Sequence, residues 1–137
     1  MTEMARLAAP APTTAAVLSI SATSVVGSLP LPVDLILYRG DDFFLDLDVT
    51  DGGGLPVDLT SYTPAAQVRV TPDADDPAVA TFTITVDVST LHLHLPTDES
   101  AGLPPTAAWD VQITDTAGIV STLAFGSVTT TPDVTRP

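Results

Sequence analysis

The only histidines, His92 and His94, stand two residues apart in Leu91-His92-Leu93-His94-Leu95. That alternation has the period of a β-strand, so both imidazoles leave the strand on one face. Two imidazoles side by side can ligate a metal, but a zinc site needs further ligands. Local sequence offers no third one, and the chain contains no cysteine. The pair therefore reads as polar residues on the outer face of an amphipathic strand. Asp46, Asp48 and Asp51, followed by Gly52, look superficially like a calcium loop. They do not keep the register of an EF-hand, which closes on a Glu. Asp73, Asp75 and Asp76 form a second acidic cluster. Asp and Gly are favoured in turns on backbone grounds alone, and both clusters read as solvated turns.

Other chemistry is poorly supplied. There is no G-x-S-x-G elbow for a nucleophilic serine. No Gly-rich loop precedes a helix, so nothing cradles a phosphate. With 17 acidic residues, any one carboxylate pair carries little information. Trp109 alternates with Val111 and Ile113, which makes it a core residue rather than a platform for a sugar ring. The expectation is a chain without catalytic residues, cofactor or metal site, and so not an enzyme.

Composition narrows the partners. The formal net charge is −13, and Arg6, Arg39, Arg69 and Arg136 are the only strong cations. Nucleic acid needs a basic footprint, and an anionic membrane surface would repel this chain, so neither is an expected partner. No apolar run is long enough to span a bilayer. The mildly apolar Ala15 to Ile20 lacks the basic flank of a secretory signal, since Glu3 offsets Arg6. Without cysteine, stability must come from burial or from assembly with other chains.

The elements that would position these residues are strands. The 137 residues include 13 prolines and 8 glycines, too frequent a punctuation for long helices. Phe43, Leu45, Leu47 and Val49 alternate with Phe44, Asp46 and Asp48. Asp51 to Gly54 turns the chain, and Pro56 starts a short return strand. Ala66, Val68 and Val70 alternate after a loop at Ser61 to Pro64. Phe82, Ile84, Val86 and Val88 alternate with threonines. Trp109, Val111 and Ile113 form a further strand, and Ile119, Ser121, Leu123 and Phe125 form one face of the next. Gly126 suggests a bulge or a close backbone approach.

This grammar predicts an all-β, immunoglobulin-like antiparallel β-sandwich of about 7–9 strands. Its core is expected to hold Leu45, Leu47, Val68, Phe82, Ile84, Val86, Trp109, Val111 and Leu123. Residues 1–33, rich in Ala, Pro, Ser and Thr, are set apart as an extended N-terminal arm, and residues 34–137 as the sandwich domain. Within the arm, Met4 to Ala9 could form one helical turn before Pro10, and Val17 to Val26 could pair as a strand. The arm is expected to order on a neighbouring subunit, and the sandwich to fold without it.

The order of several short motifs is familiar. These are Tyr38-Arg39-Gly40-Asp41-Asp42-Phe43, Gly54-Leu55-Pro56-Val57-Asp58-Leu59-Thr60, Ala66-Gln67-Val68-Arg69 and Trp109-Asp110-Val111-Gln112. Gly118 follows, then Thr122-Leu123-Ala124-Phe125-Gly126, and finally Asp133-Val134-Thr135-Arg136. The series resembles the small β-sandwich virion proteins of tailed bacteriophages, especially those of actinobacteria, over about residues 35–136. Where that pattern has Tyr before Asp, this chain has Trp109. The resemblance implies a non-enzymatic structural protein of the virion and does not itself decide between tail and head; a minor tail or baseplate-associated protein is the expectation. Its implied partners are other virion structural proteins and further copies of itself. A capsid decoration or head–tail connector protein is the rival within the virion. A secreted adhesin-like or carbohydrate-binding sandwich is the rival outside it.

Overall fold

The computed structural model describes residues 18–26, 29–72 and 77–132. Its strands are β1 (Leu18–Val25), β2 (Leu31–Pro32), β3 (Leu35–Tyr38), β4 (Phe43–Thr50), β5 (Thr63–Arg69), β6 (Ala80–Thr81), β7 (Thr83–Asp87), β8 (Thr90–Leu95), β9 (Thr106–Thr114) and β10 (Val120–Thr131). One helical turn, α1 (Thr97–Ser100), joins β8 to β9. The strands form a four-stranded sheet, β1-β4-β8-β7, and a six-stranded sheet, β2-β10-β9-β5-β6, in which β3 also pairs with β10. The chain is thus the all-β sandwich that its alternation predicts.

The inward residues of each strand build one core. Leu45, Leu47, Val49, Leu91, Leu93 and Leu95 come from the four-stranded sheet. Val68, Trp109, Val111, Ile113, Leu123 and Val128 come from the other. Fully burying such a side chain is worth about 1.5–3 kcal/mol, so this interface is the main source of stability. Of the expected core, Ile84 and Val86 are only partly buried, because β7 is an edge strand.

Several local expectations change. The sheets are mixed rather than purely antiparallel, since β1 runs parallel to β4, and β2 and β3 run parallel to β10. After Pro56 there is no return strand but an isolated bridge, Thr50 to Pro56. Pro56 lacks an N–H to continue a ladder. The Asp58 carboxylate then accepts hydrogen bonds from the Thr60 N–H and hydroxyl, which bends the chain away. The loop foreseen at Ser61 to Pro64 is shorter, as β5 already begins at Thr63. The strand foreseen through Phe82 is split there. Ala80 and Thr81 pair with β5, whereas Thr83 to Asp87 pair with β8, so Phe82 is buried where the chain changes sheet. Val88 leaves the strand for the hairpin tip and takes φ 55°.

In β10 the register shifts between Thr122 and Ala124. This bulge turns both Leu123 and Ala124 inward and sends Phe125 out, against the simple alternation. It also frees the Leu123 carbonyl, which accepts a hydrogen bond from the buried Ser24 hydroxyl of β1 at 2.8 Å. That bond ties the edge of one sheet to the opposite sheet. Residues 18–26, assigned to the arm from composition, therefore pair with this chain's own β4. Residues 1–17, with the helical turn foreseen at Met4 to Ala9, lie outside the described residues. So do the Asp73, Asp75 and Asp76 cluster and the Asp133 to Arg136 motif.

Candidate functional site

Gly126 is a place of close backbone approach, as its position in a strand suggests. The chain between β2 and β3 crosses directly over it, and any Cβ at this position would run into the Val33 carbonyl. The same carbonyl accepts a 2.8 Å hydrogen bond from the Trp109 indole N–H. Val33 N–H in turn donates to the Phe125 carbonyl at 2.8 Å. Asp34 accepts a hydrogen bond from the Ser127 N–H, and this bond holds its carboxyl below the usual range. Trp109 is buried and tilted against Phe82, with ring centroids 5.8 Å apart. Its role is in the core, and its polar handle is used internally.

The turn at Tyr38 to Phe43 is locked by a segment distant in sequence. Ser100, fully buried in α1, accepts a hydrogen bond from the Gly40 N–H and donates to the Asp41 carbonyl. Arg39 Nε donates to the Leu103 carbonyl at 3.2 Å. Ser100 lies some 60 residues from this turn in sequence, and no local pattern singles it out.

The histidines lie where the alternation puts them, on the outer face of the four-stranded sheet. In register, His92 of β8 faces Asp46 of β4 and Thr85 of β7, and His94 faces Phe44 and Thr83. His92 Nδ1 is 2.7 Å from Asp46 Oδ1, and Nε2 is 3.6 Å from Asp87 Oδ2. The hydrogen bond to Asp46 raises the proton affinity of His92 above that of an ordinary imidazole; the charges of Asp46 and Asp87 add to this, and partial burial opposes it. His94 Nε2 donates to Asp42 Oδ1 at 2.8 Å, and its ring stacks on Phe44 at 4.3 Å. Each imidazole is thus turned onto its own carboxylate partners. Among the described residues no three His, Asp or Glu side chains converge as a metal site. Among the described residues no hydroxyl is hydrogen-bonded to either ring.

The acidic residues ahead of Gly52 are likewise occupied individually. Asp46 holds His92, and Asp48 accepts a hydrogen bond from the Thr90 hydroxyl. Asp51 accepts from the N–H groups of Gly53 and Leu55, which shapes the turn. Asp115 does the same for Ala117 and Ile119.

The outer face of the six-stranded sheet is different in character. Ile36 and Tyr38 of β3 and Phe125 of β10 point outward and are 67%, 54% and 45% exposed. Thr129 and Thr131 lie in register beside Ile36 and Tyr38, while the exposed Asp34 carboxylate, bonded to the Ser127 N–H, lies between these residues and Phe125. Further across, Asp110 sits between Phe125 and Gln67. Partial burial pushes its carboxyl up, with the nearby Arg69 charge opposing. Alternation foresaw Asp110 and Gln67 facing outward, but not the exposed Phe125, which follows from the bulge.

The chain matches no protein-family model and no curated protein. One solved structure to which it is similar is that of the bradyzoite specific antigen BSR4 from Toxoplasma gondii. Sequence identity is 11% and the TM-score 0.38, with 88% of this chain and 51% of that chain covered. This chain therefore spans about half the length of that one, and a likeness at this level carries no functional inference.

Proposed function

We propose that this chain is a non-enzymatic structural protein of a tailed-bacteriophage virion, a minor tail or baseplate-associated sandwich that assembles through protein–protein contacts. The observation that carries the reading is the ordered series of motifs from Tyr38-Arg39-Gly40-Asp41 to Gly126. Its members serve turns, pairings and core of a single sandwich: Arg39 and Gly40 bind the α1 region, Asp58 bends the chain, and Trp109 and Gly126 fit Val33. A pattern used in this way suits a scaffold whose surface is free to vary. The exposed Ile36, Tyr38 and Phe125 on the outer side of one sheet support assembly, because large apolar side chains left exposed beside polar ones are the kind that partners cover.

The test is fractionation of particles made from the genome that encodes this chain. Heads and tails are separated, and each fraction is analysed by mass spectrometry. The chain is expected in the tail fraction in fixed ratio to a known tail subunit. Recovery with heads would favour a decoration or connector protein. Absence from the particle would refute a virion role.

A further inference from the structure

His92 is the midpoint of a contact across three strands. It lies on β8, between β4 and the edge strand β7. One ring nitrogen faces Asp46 of β4 at 2.7 Å, and the other lies within ion-pair reach of Asp87 of β7 at 3.6 Å. An ionised carboxylate only accepts, and a neutral imidazole has a single N–H. A neutral ring can therefore satisfy one carboxylate while turning its lone pair on the other. Only the doubly protonated ring serves both.

The surroundings leave this role to His92. From β4 the same face carries Asp46 and Asp48, and Asp42 stands just ahead of the strand. Asp42 is taken by His94, and Asp48 by the Thr90 hydroxyl. From β7 it carries Thr83, Thr85 and Asp87. Beyond β4, β1 places Ser21 and Thr23 in register with Asp46 and Asp48, neither of them charged. Meanwhile β7 has no fully buried residue and no neighbour on its outer side among the described strands. An edge held by so little burial is where one added tie changes local opening most.

We propose that His92 is a proton-operated clamp on the edge strand: charged, it adds a tie from Asp87 of β7 through β8 to β4, and neutral, it drops that tie and loosens β7, while the hairpin tip stays bonded through the Val88 and Ser89 carbonyls. The direction follows from linkage. A histidine whose proton affinity is raised by folding contributes its stabilisation in full below the usual imidazole value, and that contribution is lost as pH rises through the folded-state value. The device depends on the sandwich geometry and not on where the protein works, so it stands or falls apart from the virion reading.

The experiment is an NMR titration of the His92 ring in the full chain, with amide-exchange protection factors for Thr83 to Asp87 measured across the same pH range. The His92 midpoint should lie above the ordinary imidazole value and fall in Asp46→Asn. Protection of the β7 amides, relative to that of β4, should drop about two- to fivefold as pH crosses the midpoint, the size expected for a partly exposed ion pair. The drop should vanish in His92→Gln and shrink in Asp87→Asn, which changes only an exposed carboxylate and keeps the test usable if His92→Gln folds poorly. A midpoint at or below the ordinary value would overturn the proposal. So would an equal drop in wild type and Asp87→Asn.

Discussion

At Gly126, a glycine has been placed by contact rather than by turn conformation. An added Cβ would lie 2.7 Å from the Val33 carbonyl carbon, and that carbonyl is fixed by its bond to the Trp109 indole. Because the obstacle is backbone, Gly126→Ala must either separate β10 from the β2–β3 crossing or break the indole bond. The expected loss is about 3 kcal/mol or more, read as a lower urea midpoint. Val88 presents the opposite case. A β-branched residue at φ 55° is strained, at a cost of about 1–2 kcal/mol, and its side chain is exposed. Glycine removes the strain but adds about 0.5–1 kcal/mol of unfolded-state entropy. Val88→Gly should therefore raise the same midpoint slightly, by up to about 1 kcal/mol, and a clear loss would mean the tip is not strained. Thr130 carries a buried hydroxyl that finds no partner among the described residues. Thr130→Val keeps the shape and removes that group, so the variant should be as stable as the parent or more stable by about 1 kcal/mol in thermal unfolding.

At the level of elements, what was legible followed from local period. β4, β8 and β9 alternate cleanly, and their inward residues are those read from sequence. The bulge at Leu123 was not legible, because an extra residue in a strand changes register only relative to its partner. The place of β1 was hidden for a related reason. A strand over Val17 to Val26 was readable, but it was expected on a neighbouring subunit, because its pairing with β4 and the Ser24 bond to Leu123 are long-range facts. The outward direction of His92 was readable, but its second carboxylate, Asp87, was not, since it lies beyond a hairpin tip. These contacts alter what truncation should do. Removing residues 1–33 takes away β1, β2 and the carbonyl that receives the Trp109 indole. That deletion should abolish cooperative unfolding by near-UV circular dichroism, whereas deletion of residues 1–17 leaves every described strand in place and should preserve it. A 1–33 deletion that unfolds cooperatively near the parent midpoint would show that β1 and β2 are accessory.

For the whole molecule, class was readable and topology was not. Alternation, frequent turns and the lack of helical period point to a sandwich, but strand order and the parallel edge pairings depend on contacts far apart in sequence. Charge is the global property that sequence states directly. The chain carries 17 acidic against 4 basic residues, and folding brings these acids closer together. Part of that acidity has local use, in the turns at Asp51, Asp58 and Asp115 and in the histidine pairs at Asp42, Asp46 and Asp87. The remaining repulsion acts over the protein surface and should be screened by salt, whose Debye length shrinks from about 30 Å at 0.01 M to about 10 Å at 0.1 M. Salt also weakens the exposed histidine pairs, but such pairs are worth only about 0.2–1 kcal/mol each. At a pH where His92 is neutral even that loss disappears, and repulsion among carboxylates decides the sign. The thermal midpoint should therefore rise with sodium chloride at alkaline pH, by several degrees, since about 1 kcal/mol shifts a domain of this size by roughly 2–8 °C. At mildly acidic pH, where the His92 clamp is charged, the rise should be smaller. A midpoint that falls with salt at alkaline pH would mean that specific ion pairs, rather than net charge, dominate the electrostatics of this fold.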